Sequence, residues 1–115
     1  MLPTTHRLHK QTEIKSLIQT GQTFFLPEFI FKFAKNQEPA TKIGFVVSTK
    51  VDKSAVTRNK LQRQMREAIN SFLDDIKPGF SVLIIAKKKA LDLDFATIVK
   101  QFKFAATKIK IYEGK

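Results

Sequence analysis

The chain of 115 residues has no cysteine, no tryptophan, a single tyrosine, four glycines and four prolines. Without cysteine there is no disulfide framework, no thiolate zinc site and no cysteine nucleophile. That usage fits a reducing compartment. No apolar run approaches the roughly 20 residues that a bilayer-spanning helix needs. The opening Met1-Leu2-Pro3-Thr4-Thr5-His6 lacks the charged region and apolar stretch of a secretory signal, so a cytoplasmic protein with no membrane partner is expected. Acidic residues are also scarce, ten against 21 Lys and Arg, for a formal net charge of +11. Such an imbalance costs self-repulsion unless a polyanion offsets it, which by charge alone is nucleic acid or an anionic membrane surface, and nucleic acid is the class favoured here.

What is present suits one domain over residues 1–115, with 43% hydrophobic residues and eleven phenylalanines to build its core. A first helix is expected from Thr12 to Thr20, capped by Thr12, ended by Gly21, with Ile14, Leu17 and Ile18 on one stripe. The pattern then changes to strand. Phe29, Phe31 and Phe33 alternate with Ile30, Lys32 and Ala34, and the heavier apolar face should point inward. Residues 36–41 read as a hairpin loop leading to a second strand over 43–48. A long helix follows from Ala55 to about Leu73, with Leu61, Met65, Ala68, Ile69 and Phe72 as its core stripe. Pro78-Gly79 stops that region, a buried-type strand runs from Ser81 to Ala86, and a last helix starts near Asp92 with Phe95, Ile98, Val99 and Phe102 inward. The fold class is α+β: a two-layer α/β sandwich of about four strands and three helices, in the order α-β-β-(β)-α-β-α.

The chemistry concentrates between Lys50 and Arg66, which holds six basic residues and one acid. At about 100° per residue, Asn59, Arg63, Arg66 and Asn70 line one flank of the long helix, away from its core stripe. Arg58 and Lys60 sit near its start, where free N–H groups and the helix dipole also favour phosphate. Arginine offers a rigid donor fork and asparagine both donates and accepts, so such a row can track a nucleic-acid backbone. The plainer alternative is a solvated face with Glu67 paired to Arg63.

The run Ala55-Val56-Thr57-Arg58-Asn59-Lys60-Leu61-Gln62-Arg63-Gln64-Met65-Arg66-Glu67 resembles the signature of the bacterial ribonuclease P protein component. Arg7-Leu8-His9-Lys10, Gly21, Gly44-Phe45-Val46-Val47-Ser48 and the strand ending Ile85-Ala86-Lys87 are similar to that family in the same order. The resemblance implies a left-handed crossover containing the basic helix. It also implies the protein subunit of a ribonucleoprotein whose RNA is catalytic and removes the 5′ leader of precursor tRNA. Arg58, Asn59, Lys60, Arg63 and Arg66, with Lys50 and Lys53, then become candidates to contact that RNA. Ile14, Ile18, Ile30, Lys32 and Tyr112 become candidates for a cleft holding the single-stranded leader. Mg2+ is expected to be held mainly by the RNA, and no obligate protein partner is implied.

The chain departs from the family pattern in places. Lys60 stands where arginine is usual, and Gln62 and Gln64 where basic residues are usual, which predicts fewer phosphate contacts and a shallower salt dependence. Ile14, Ile18 and Lys32 occupy positions that are often aromatic in the family, so stacking on unpaired bases would be lost there. Core packing is the alternative role for Ile14 and Ile18.

Other candidates have simpler explanations. His6 and His9 lack further ligands nearby in sequence, Asp74-Asp75 suits a solvated helix end, and Asp94 suits a helix cap. Two other classes remain on the sequence. One is a structured-RNA-binding protein of ribosome-associated type; the other is a metal-dependent nuclease, which would need Asp52, Asp92 and Asp94 to converge.

Overall fold

The computed structural model describes residues 11–36 and 40–112. Its elements are α1 (Gln11–Thr20), β1 (Gln22–Phe25), β2 (Phe29–Lys35), β3 (Lys42–Val46), α2 (Ala55–Asn70), β4 (Phe80–Ala86) and α3 (Phe95–Lys108). Short 3-10 turns at Leu73–Asp75 and Lys88–Asp92 flank β4.

Local chemistry explains the boundaries. The Gly21 N–H donates to the Leu17 carbonyl at 2.9 Å, and a Cβ at position 21 would collide with that same oxygen. Only glycine ends α1 this tightly. A turn through Leu26-Pro27-Glu28 joins β1 to β2, and the Leu26 N–H donates to the Phe29 carbonyl at 2.8 Å. Ser54 caps α2 by accepting from the Thr57 N–H, and Asp94 caps α3 by accepting from the Thr97 N–H at 2.8 Å. Gly79, at φ +90, turns the chain into β4.

The strands form one mixed sheet in the order β1-β2-β4-β3. β1 and β2 are antiparallel, as are β2 and β4, whereas β3 and β4 are parallel. This corrects the expected hairpin between the strands at 29–34 and 43–48, because β4 lies between them. The reason is burial: Val82, Leu83 and Ile84 are all nearly inaccessible, so β4 is covered on both faces and takes a central place. The hairpin that does form is β1–β2, whose first strand, Gln22–Phe25, the pattern of the sequence left unresolved.

Residues paired across strands share a face, and the register separates the two faces cleanly. Phe24, Phe29, Phe31, Ile43, Val82 and Ile84 belong to the main core. There they meet Leu61, Met65, Ala68 and Ile69 of α2 and Ile98, Phe102, Ala105 and Ala106 of α3. The Phe102 ring stands edge-on to Phe29 at 4.8 Å and to Phe31 at 5.8 Å. Phe95, expected inward, is exposed, because the inward stripe of α3 starts one turn later at Ile98. The opposite face carries α1, whose Leu17 packs on Leu83. Among the described residues, no helix is long and apolar enough to cross a membrane.

Candidate nucleic-acid interface

The basic segment is organised before any partner arrives. Val51 is buried, and its N–H donates to the Ser48 carbonyl at 3.0 Å, which pins the loop after β3. Asp52, the one acid between Lys50 and Arg66, spends its Oδ1 on the Ser54 N–H at 2.7 Å. Arg58 reaches back from the first turn of α2. Its Nη1 donates to the carbonyls of Asp52 at 2.9 Å and Lys53 at 2.8 Å. The guanidinium therefore braces the loop, and Lys50 and Lys53 project from that braced loop into solvent. This adds a structural duty to a residue marked out for RNA contact.

Further along α2, Asn59, Lys60, Arg63 and Asn70 are exposed and Arg66 is half-buried, on the side away from Leu61, Met65 and Ile69. Among the described residues Arg63 makes no ion pair with Glu67 or with any other acid. The salt-bridged face that offered the plainer explanation is therefore not what α2 presents. The first turn of α2 contains no acidic residue, and the carboxylate nearest its positive end is that of Asp52, held on the N–H of the cap residue Ser54.

The second surface is the sheet face under α1. Successive rows cross the strands at fixed register. One row reads Phe25, Ile30, Ile85 and Val46; the next reads Thr23, Lys32, Leu83 and Gly44. α1 contacts β2 and β4, with Ile14 and Leu17 packed into the cluster of Leu83, Ile85 and Val46. Ile30 and Lys32 stay half-buried beside the helix, and Ile18 is 48% exposed. A groove lined by Ser16, Thr20, Ala34 and Asn36 continues between α1 and the ends of β2 and β4.

The structure thus places Ile14 and Ile18 on α1 and Ile30 and Lys32 on the sheet face that carries it, with Ile14 the one of the three isoleucines packed into the cluster. It does not bring Tyr112 there. Tyr112 pairs with Ile76 and is buried edge-on against Phe72 at 5.0 Å, within the core of the other face. Its ring is committed to packing, which corrects its place among the cleft residues. Ile14 is committed in part, through the Leu17 cluster.

The carboxylates have ordinary roles. Asp94 caps α3, and hydrogen bonds from Thr97, side chain first and backbone N–H second, hold its carboxyl below the usual carboxylate range. Asp74 and Asp75 are exposed in a 3-10 turn. Asp52, Asp92 and Asp94 do not converge, and among the described residues no three His, Cys, Asp or Glu side chains gather as a metal cage. His6 and His9 lie outside the described residues.

One surface residue escaped the sequence reading. Phe25 is 68% exposed on the α1 face, directly across from Ile30. Its signal was available: Phe24-Phe25 and Phe29 flank Leu26-Pro27-Glu28, a turn between two aromatic segments. Alternation then sends Phe24 inward and Phe25 outward.

Comparison with known proteins adds the remaining finding. A family model described as Ribonuclease P matches residues 2–110. The ribonuclease P protein component of Picosynechococcus sp. is 27% identical over 113 residues, covering 98% of this chain and 97% of that protein. That of Synechocystis sp. is 32% identical over 101 residues, covering 87% and 82%. The solved RNase P protein of Thermotoga maritima superposes with a TM-score of 0.80 at 27% identity, covering 94% of this chain and 98% of that one. The Staphylococcus aureus RNase P protein gives 0.84 at 22% identity, covering 94% and 98%, a likeness of fold alone.

Proposed function

The chain belongs to the bacterial ribonuclease P protein family, and from that premise we propose how its two surfaces divide the work of a tRNA-processing ribonucleoprotein. Membership makes it the protein subunit of that endoribonuclease, partnered with its RNA. In this reading the RNA subunit is catalytic, and α2 with the loop before it docks on RNA phosphates. Lys50, Lys53, Lys60, Arg63 and Arg66 supply the charge, Asn59 supplies a two-way hydrogen-bonding group, and Arg58 keeps the loop in shape through its Nη1.

One observation carries the assignment. The cations of α2 stand on one helix; Asp52, just before it, is already tied into the turn, and Glu67, the helix's own acid, makes no ion pair with Arg63 among the described residues. Such a row gains its main stabilisation by releasing counterions from a polyanion.

The α1 face receives the single-stranded 5′ leader of precursor tRNA. Ile14, Ile18 and Ile30 offer apolar contact to the bases and Lys32 offers charge to the backbone. Binding the leader raises affinity for precursor over mature tRNA. Neutralising phosphate repulsion lowers the Mg2+ needed to bring RNA and substrate together. The carboxylates described above form no cage for Mg2+, so in this reading the ion is held by RNA, and this chain's own residues bind, neutralise and orient.

Reconstitution tests the proposal. The chain is mixed with a bacterial ribonuclease P RNA at low Mg2+, where RNA alone is nearly inactive, and precursor tRNA cleavage is followed. Cleavage at the mature 5′ end only when both parts are present is expected. Tight RNA binding without restored cleavage, including with a cognate RNA, would favour a structured-RNA-binding protein with no role in cleavage. Cleavage by protein alone would overturn both readings.

A further inference from the structure

Within the leader face just proposed, and resting on that reading, we infer that Phe25 is the aromatic stacking platform for an unpaired base. The other residues assigned to this face, Ile14, Ile18, Ile30 and Lys32, carry no aromatic ring. Phe25 places one on the same face from a different strand. It pairs with Ile30 at the end of the row Phe25, Ile30, Ile85 and Val46, and lies diagonally next to Lys32, whose partner is Thr23.

Phe25 differs from the other phenylalanines of its surroundings. Phe24 points the other way and meets Phe31 and Phe104, both at 6.3 Å. Phe104, also exposed, already has the Lys108 ammonium over its ring at 5.5 Å. Among the described residues Phe25 has no ring partner and no cation over it, and it is 68% exposed at the end of edge strand β1. Among the described residues α1 packs chiefly on β2 and β4. A ring in this place presents a free face beside apolar contact from Ile30 and a cation from Lys32. Those are the three elements that hold unpaired nucleotides: a stacking surface, an apolar floor and a charge for the phosphate. The chemistry favours an unpaired base without choosing which one, since every base has a π-face.

The test uses the reconstituted ribonucleoprotein with wild-type protein and with the variants Phe25→Ala, Phe25→Leu and Phe25→Trp. Dissociation constants are measured for precursor tRNA with a leader of several nucleotides and for mature tRNA without one. The wild type should prefer the precursor. Phe25→Ala and Phe25→Leu should each weaken precursor binding on the order of tenfold and leave mature tRNA unchanged, and Phe25→Trp should keep the preference. Leucine keeps apolar area and loses the π-face, so its failure separates stacking from simple apolar contact. Thermal melts serve as a check, since so exposed a side chain contributes little to folding.

If the wild type prefers the precursor and Phe25→Ala does so equally, the inference about Phe25 falls and the leader face stands. If the wild type shows no preference for a leader at all, the leader face falls and Phe25 falls with it. A change of oligomeric state in Phe25→Ala, seen by sedimentation with leader preference intact, would make Phe25 a contact between copies of this chain and overturn the inference.

Discussion

β2 presents two faces that have met opposite fates. Phe29 and Phe31 are sealed under α2 and α3 with Phe102 edge-on between them. One residue away on the same strand, Ile30 and Lys32 lie half-covered beside α1, next to an exposed Phe25. The first face is closed by the protein alone and holds the main core. The second is apolar where it touches α1, cationic at Lys32 and open toward β1. Apolar surface left beside a cation on a chain of net charge +11 suits an anionic partner with hydrophobic parts, as single-stranded RNA has. The core and the proposed leader contact thus share strands and divide by parity along them.

The contrast can be broken most forcefully at Phe102. Phe102→Ala should cost about 3–5 kcal/mol in urea unfolding, because the ring is fully buried against two others. Ile30→Ala, on the half-covered face, should cost under about 2 kcal/mol. Equal losses would mean that both faces carry the fold.

The next effect concerns binding without stability. Replacing Arg63 and Arg66 together with alanine should lower the slope of log affinity against log salt by roughly 2 for the partner RNA. The melting temperature should hardly move, since neither residue is in an ion pair among the described residues. An unchanged slope would remove α2 as the RNA face. Arg58→Ala is a less clean test, because it also frees the carbonyls of Asp52 and Lys53.

A smaller effect separates two isoleucines of α1. Ile14→Phe should overpack the Leu17–Leu83 cluster at about 1–3 kcal/mol. Ile18→Phe, at a position 48% exposed, should leave the melt near the wild type and tighten precursor binding over mature tRNA. The reverse pattern would exchange their roles.

The smallest effect lies at the cap of α3. Hydrogen bonds from Thr97 hold the Asp94 carboxyl below its ordinary 3.8 in the folded chain. The stabilisation is therefore present above the unfolded value and is lost as pH falls through the folded one. Asp94→Asn keeps an acceptor oxygen without the charge. The stability gap between wild type and variant should be widest at neutral pH and shrink on acidification below about pH 4.

Much of this was legible in the sequence. The helical stripe of Leu61, Met65, Ala68, Ile69 and Phe72 and the alternating Phe29, Phe31 and Phe33 mark the main core, because periodicity reports which face is buried. The cation row on α2 was legible for the same reason. Strand order was not, since adjacency in sequence suggested a hairpin where β4 intervenes. Local pattern carries no information on which strand becomes central. Tyr112 was placed at the cleft by the resemblance alone, and a lone tail aromatic has no period to assign it a face. Arg58 showed its charge but not its bonds to two carbonyls, which exist only once the loop is folded.

The central claim, that α2 meets the catalytic RNA and the α1 face meets the leader, has one most direct measurement. The chain contains no cysteine, so Lys32→Cys and Arg63→Cys each create a single site for a photoreactive label. After irradiation of the reconstituted complex with precursor tRNA, crosslinks are mapped to the nucleotide. The account predicts leader crosslinks from position 32 and ribonuclease P RNA crosslinks from position 63. Leader crosslinks from position 63, or none from position 32 at any leader length, would contradict it.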